Sequence, residues 1–127
     1  MRALQFIQIT MVALALSGCA TARAKACTAG DAAPGTVVSC EVPGFARRPY
    51  DVHLPASYSP TKPVPVLLVI HGGGGNARAA ARTGCPGGEI ESNDCLHATA
   101  NREGVALVYP NGTGARLAPN VRTWNAG

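Results

Sequence analysis

The sequence predicts an α/β fold with a mixed, mostly parallel sheet and flanking helices. Three observations predict it. Two apolar runs, Val66 to Ile70 and Val105 to Tyr109, do not alternate with polar residues, the pattern of strands buried on both faces. Between them lie two segments with helix signals, Asn76 to Arg82 and a second that opens at Ser92 and stops at Gly104. Upstream, Tyr50, Val52 and Leu54 alternate with Asp51 and His53, the period of a half-buried antiparallel strand. Strands that alternate with helices build a layered sheet with parallel neighbours.

The first 26 residues read as an export signal rather than as structure. Arg2 supplies a thin basic start, and Ala3 to Leu16 is apolar but broken by Gln5, Gln8 and Thr10. Such a stretch is too short and too polar to span a membrane. It ends in Leu16-Ser17-Gly18-Cys19, which resembles the bacterial lipoprotein cleavage box. That resemblance implies that Cys19 becomes the acylated first residue, so the membrane enters only through a lipid anchor. Ordinary cleavage at Ala20-Thr21-Ala22 or Ala24-Lys25-Ala26 is the competing reading. Either way the mature chain is exported, to the periplasm, the outer membrane or the outside.

The cysteines agree with export. Apart from Cys19, four remain: Cys27, Cys40, Cys85 and Cys95. Four cysteines allow three pairings. We expect Cys27–Cys40 and Cys85–Cys95, because each would staple one local loop. Zinc needs short paired spacings such as C-x-x-C, and none occurs, so no metal is expected. The net charge of +4 comes from arginines scattered between Arg2 and Arg122. Without a basic stripe interleaved with aromatics, nucleic acid is excluded as a partner.

The 127 residues suffice for one small domain, and 46% hydrophobic with 14% charged residues is a globular composition. Residues 27–35 are small and polar and read as a tether; residues 36–127 form the domain. Thr36 to Val42 is rich in β-branched residues and reads as a first strand. Pro43-Gly44 is a turn, and Arg47 to Leu54 a second strand. Pro55 to Pro65 holds four prolines and reads as surface loop. Val66 to Ile70 is a third strand, expected at the centre of the sheet. Asn76 caps a short helix that Gly84 stops. Cys85 to Cys95 is a surface insertion. Ser92 caps the second helix, which turns Leu96, Thr99 and Ala100 inward. Val105 to Tyr109 is the fourth strand, and Pro110-Asn111-Gly112 turns the chain at its end. Beyond Gly112 no periodicity stands out.

The chemistry concentrates in His71-Gly72-Gly73-Gly74-Gly75-Asn76, directly after the third strand. Glycines free the backbone N–H groups to turn toward a ligand. A helix capped by Asn76 adds a positive dipole end. The loop is therefore built to receive negative charge. A Walker loop requires Lys after its last glycine, and none follows here; the G-x-G-x-x-G spacing is also absent. A transient oxyanion remains, since an HGGG-type loop after the third strand supplies one N–H of the oxyanion hole in α/β-hydrolases.

Four segments then carry a wider resemblance. They are Arg48-Pro49-Tyr50-Asp51-Val52-His53-Leu54-Pro55, Val69 to Ala77, Glu103 to Gly112 with its Val108-Tyr109-Pro110-Asn111-Gly112, and Trp124-Asn125-Ala126-Gly127. Together they resemble the N-terminal part of the polyhydroxybutyrate depolymerase/feruloyl esterase family, over roughly residues 47 to 127. The resemblance implies an exported serine esterase with an α/β-hydrolase fold and no cofactor. It implies that Gly73 and Gly74 supply the oxyanion amide, with His71, Gly72, Gly75 and Asn76 supporting the loop and His71 as a brace rather than a base. Its substrates would be polymeric polyhydroxyalkanoates, or feruloyl and acetyl esters on polysaccharide.

No G-x-S-x-G nucleophile elbow occurs in the sequence. None of the catalytic triad is therefore expected among these residues, which read as the N-terminal half of the fold, ending before the elbow. Asp51 and His53, with Ser57 and Ser59 nearby, could suggest a triad. Side chains at i and i+2 on a strand do not line up as one, and exposed polar residues are the expectation. Arg47, Arg48, Glu89 and Glu91 are expected as solvated charges. The fourth strand is expected to present a bare apolar edge that promotes aggregation. A non-catalytic, membrane-anchored binding lipoprotein on the same fold is the rival function.

Overall fold

Pro43 and Gly44 set the first reversal of the chain. Phe45 donates its N–H to the Val42 carbonyl at 3.1 Å, and Gly44 sits at φ +78°. Proline followed by a glycine at positive φ makes a type II turn. The turn folds β1 (Val37–Glu41) antiparallel onto β2 (Pro49–His53), with Val38 opposite Val52. The computed structural model describes residues 27, 31–45, 48–90, 92–115 and 117–124. The signal in residues 1–26 with Cys19, residues 28–30 of the tether, Arg47, Glu91, Asn125, Ala126 and Gly127 lie outside the described residues.

β3 (Val66–Leu68) leads through α1 (Ala77–Thr83) and α2 (Leu96–Glu103) to β4 (Ala106–Pro110). The sheet order is β1-β2-β4-β3, with β4 antiparallel to β2 and parallel to β3. The sheet is mixed, as expected, but only one of its neighbour pairs is parallel. The hairpin and the β2–β4 pairing are antiparallel because β2 runs opposite to the strand that the helical crossover delivers.

The places of β3 and β4 correct the sequence expectation. β4 is central and β3 is the edge. Leu107 and Tyr109 of β4 are each 1% exposed, whereas Val66, Leu67 and Leu68 of β3 are 63%, 46% and 56% exposed. β4 slots between the hairpin and β3, so its two edges are both paired. Among the described residues β3 is paired on one edge only, and all three of its residues are exposed.

Leu107 and Tyr109 pack against Ala77, Ala80 and Ala81 of α1 and Ala100 of α2. The alanines carry no long side chains, so both short helices lie close on one sheet face. Asn76 caps α1 as expected: its side chain accepts the Ala79 N–H at 2.9 Å. α2 corrects the expected cap. It starts at Cys95, not Ser92, and Cys95 makes no side-chain capping bond. The Ser92 hydroxyl instead donates to the Asp94 carboxylate. Gly104 ends α2 at φ +68°, a left-handed position where glycine avoids Cβ strain. Ala100 faces inward, as expected, and so does His97, while Leu96 and Thr99 are half-buried.

Both expected disulfides are present, with Cα separations of 5.3 Å for Cys27–Cys40 and 4.3 Å for Cys85–Cys95. The first ties the segment before β1 to that strand; the second closes the insertion between the helices. Two disulfides fit an oxidising compartment, extracellular or periplasmic.

His53 also departs from expectation. It is buried at 2% exposure, on the helix-covered face of β2. Its ring stacks on His97 with centroids 4.3 Å apart, and its Nε2–H donates to Asn101 Oδ1 at 3.1 Å. That oxygen also accepts the Ala56 N–H, so it is an acceptor toward both. Beyond Gly112, where the sequence shows no period, the chain forms β5 (Thr113–Ala115) and β6 (Ala118–Thr123). A register shift between Gly114 and Ala115 explains the missing alternation.

Candidate functional site

β3 and β4 run parallel, so the loops that follow them emerge side by side. Val69 extends the pairing by donating to the Val108 carbonyl at 2.9 Å. His71 follows and is buried at 4% exposure. Its two ring nitrogens have opposite jobs. The Gly112 N–H donates to Nε2 at 3.1 Å, so Nε2 is an acceptor. The proton is therefore on Nδ1, which donates to the Gly72 carbonyl at 2.7 Å. His71 is a neutral brace between the two loops, with no nitrogen left to act as a base.

Trp124 closes over that brace. Its indole N–H donates to the His71 carbonyl at 2.8 Å, and the two rings lie 4.5 Å apart. Gly112 admits no other residue. A Cβ there would sit 2.3 Å from the Thr123 carbonyl oxygen.

The glycines themselves make a tight turn. Gly75 donates to the Gly72 carbonyl at 3.1 Å, and Gly74 lies at φ +80°. This places Gly73 and Gly74 at the two central positions of a type II turn. β6 then pairs with the turn. Gly74 donates to the Arg122 carbonyl at 2.8 Å, and Arg122 donates back to the Gly75 carbonyl at 3.1 Å. The Arg122 guanidinium holds the Gly112 carbonyl at 3.1 Å.

Of the two glycines singled out from the sequence, the amides therefore differ. Gly74 spends its N–H inside the protein. Gly73 is exposed, and its N–H has no acceptor among the described residues. Gly73 borders a cavity of about 470 Å³ whose apolar wall includes Val69, Ile70, Ala80 and Leu96.

Asn76 and Asn111 finish the site from the helix side. Asn76 caps α1, and Asn111 Oδ1 accepts the Ala77 N–H at 2.9 Å. Asn111 is held in turn by its own N–H on the Pro49 carbonyl at 3.0 Å. Asp51 lies apart from His53's partners, accepting the Ser39 hydroxyl at 2.6 Å. Ser59 bonds Thr61. The structure thus assembles no triad from Asp51, His53, Ser57 and Ser59.

Sequence reading missed Arg122. It works largely through its backbone, in a segment with no periodicity, and carries no signal of its own. Asn111 and Gly112 were legible, because a turn at the C-terminal end of a central strand is where α/β sheets place ligands. Compared with protein-family models, curated proteins and solved structures, the chain matches none.

Proposed function

We propose that this chain supplies the oxyanion-binding half of an exported serine esterase. One observation carries the reading. In a loop braced by Arg122, Gly112 and Trp124, the exposed Gly73 N–H, at the first central position of the turn, meets no acceptor among the described residues, at the C-terminal end of a parallel strand. Amides fixed in this way stabilise charge that develops on a carbonyl oxygen, because they need no reorganisation as it forms. The parallel β3–β4 pair and the glycine loop support the N-terminal half of an α/β-hydrolase fold. The free edge of β3 is where a further strand would add.

In this mechanism a serine attacks the ester carbonyl, the oxygen becomes an oxyanion, and the Gly73 N–H donates to it. The acyl-serine intermediate is then hydrolysed. The serine, acid and histidine lie outside these residues, since no G-x-S-x-G occurs here. His71 holds the loop. The resemblance to the depolymerase/feruloyl esterase family directs the substrate to polyhydroxyalkanoate or to feruloyl or acetyl esters on polysaccharide. Export through the N-terminal signal, with Cys19 as a lipid anchor, completes the proposal.

The turn offers a clean test. Proline is favoured at the first central position of a type II turn, so Gly73→Pro deletes the N–H and keeps the turn. A Cβ at Gly73 meets nothing within 4 Å, so Gly73→Ala keeps both. With nitrophenyl esters and the complete esterase polypeptide, Gly73→Pro should lower kcat by about 10²–10³-fold. Gly73→Ala should stay near wild type. Equal activity of the proline variant, or no labelling by a serine-directed phosphonate, would sink the proposal.

A further inference from the structure

A second cavity lies on the helix side of the glycine loop. It measures about 310 Å³ and is lined by Asp51, Asn76, Ala77, Arg78, Asn111 and Arg122. Its wall carries two guanidinium groups and one carboxylate, an excess of one positive charge. Neither arginine forms an ion pair with Asp51 among the described residues. Asp51 is engaged by the Ser39 hydroxyl. Arg122 uses one N–H on the Gly112 carbonyl and keeps its other donors. The Arg78 side chain makes no hydrogen bond or ion pair among the described residues.

Two of the helix amides at this place are already used. Ala77 donates to Asn111 Oδ1 and Ala79 to Asn76 Oδ1. The charge that attracts an anion is carried by the two arginines. The Asn111 amide adds a donor: its oxygen faces Ala77, so its NH₂ group faces away. Guanidinium forks with a neighbouring amide match the planar geometry of a carboxylate.

From this we infer that the cavity is a carboxylate subsite: Arg78 and Arg122 hold an acidic group on the substrate chain, while its ester lies at Gly73. The backbone of Arg122 joins the two places, since it pairs with Gly74 and Gly75. The inference takes its substrate from the esterase reading, but carboxylate binding stands or falls without turnover. Two sources share the chemistry: the acid end of a hydroxyalkanoate oligomer, or the uronate groups of an acidic polysaccharide.

Calorimetric titration of the full chain with 3-hydroxybutyrate trimer and with an oligogalacturonide separates them. The methyl ester of each serves as the neutral control. At least one acid should bind, with its methyl ester weaker. Arg78→Gln should weaken that binding by roughly three- to tenfold, the value of one charge-assisted contact at a partly exposed site. Asp51→Asn, which keeps an acceptor for Ser39, should tighten it by about two- to fivefold at low salt. Methyl esters that bind as well as the acids, both variants equal to wild type, or no binding of either acid would overturn the subsite. A subsite that binds in a protein whose Gly73→Pro variant keeps full activity would separate this inference from the oxyanion role.

Discussion

β3 and β4 look alike in sequence and live in opposite surroundings. Both are short apolar runs ahead of a glycine-containing loop. Leu107 at the centre of β4 is 1% exposed, while Leu68 at the end of β3 is 56% exposed. β4 is paired on two edges and covered by alanine-lined helices; β3 is paired on one edge. The difference teaches that a continuous apolar run records how much burial a strand wants, not how many neighbours it has. It also sorts the site, since the buried strand positions Asn111 and Gly112 and the exposed one carries the loop that receives a ligand.

The largest effect should come from truncating the two strands in parallel. Leu107→Ala should cost about 2–5 kcal/mol of unfolding free energy, through lost burial and the cavity left behind. Leu68→Ala should stay within about 0.5 kcal/mol, as exposed positions do. Urea denaturation decides it, and equal losses would break the contrast.

Tyr109 sharpens it through pH. Burial pushes its phenol up from 10.0 to about 12. Its Oη has no hydrogen-bond partner among the described residues. The unfolded chain ionises this tyrosine near pH 10, while the folded chain keeps it neutral. Stability is therefore intact below pH 10 and falls as pH rises toward 12, by about 2–3 kcal/mol from this group. Tyr109→Phe should remove that part of the alkaline loss while costing little at neutral pH. A variant whose alkaline profile matches wild type would show that β4 is wetter than its burial indicates.

The smallest energetic effect belongs to Leu68→Lys. A charge on the bare edge strand should leave the unfolding midpoint nearly unchanged and lower aggregation, because charged edges resist pairing with other chains. Light scattering at increasing concentration measures this; unchanged aggregation would place the sticky surface elsewhere.

Much of the local structure was legible. Pro43-Gly44, Asn76, Gly84 and Gly104 act through their own backbone preferences, and each sits where such residues put turns and helix ends. The disulfide pairs were legible too, because each closes a short loop. The period of β2 misled. His53 alternates with apolar residues and so reads as exposed, but α2 brings His97 and Asn101 over that face and buries it. At the site, Gly73 and Gly74 are equivalent in sequence. The pairing of Gly74 with Arg122, 48 residues away along the chain, makes them unequal.

By itself the sequence determined β1 to β4, the two helices, the Asn76 cap, the disulfides and the glycine loop at the end of a strand. All of these depend on φ preferences, short loops and neighbours within a few positions. Only the tertiary structure decided that β4 is central, that His71 is a neutral brace under Trp124, and that Gly73 keeps its N–H open. Those outcomes depend on which distant groups meet, and hydrogen-bond donors are assigned only when their acceptors arrive.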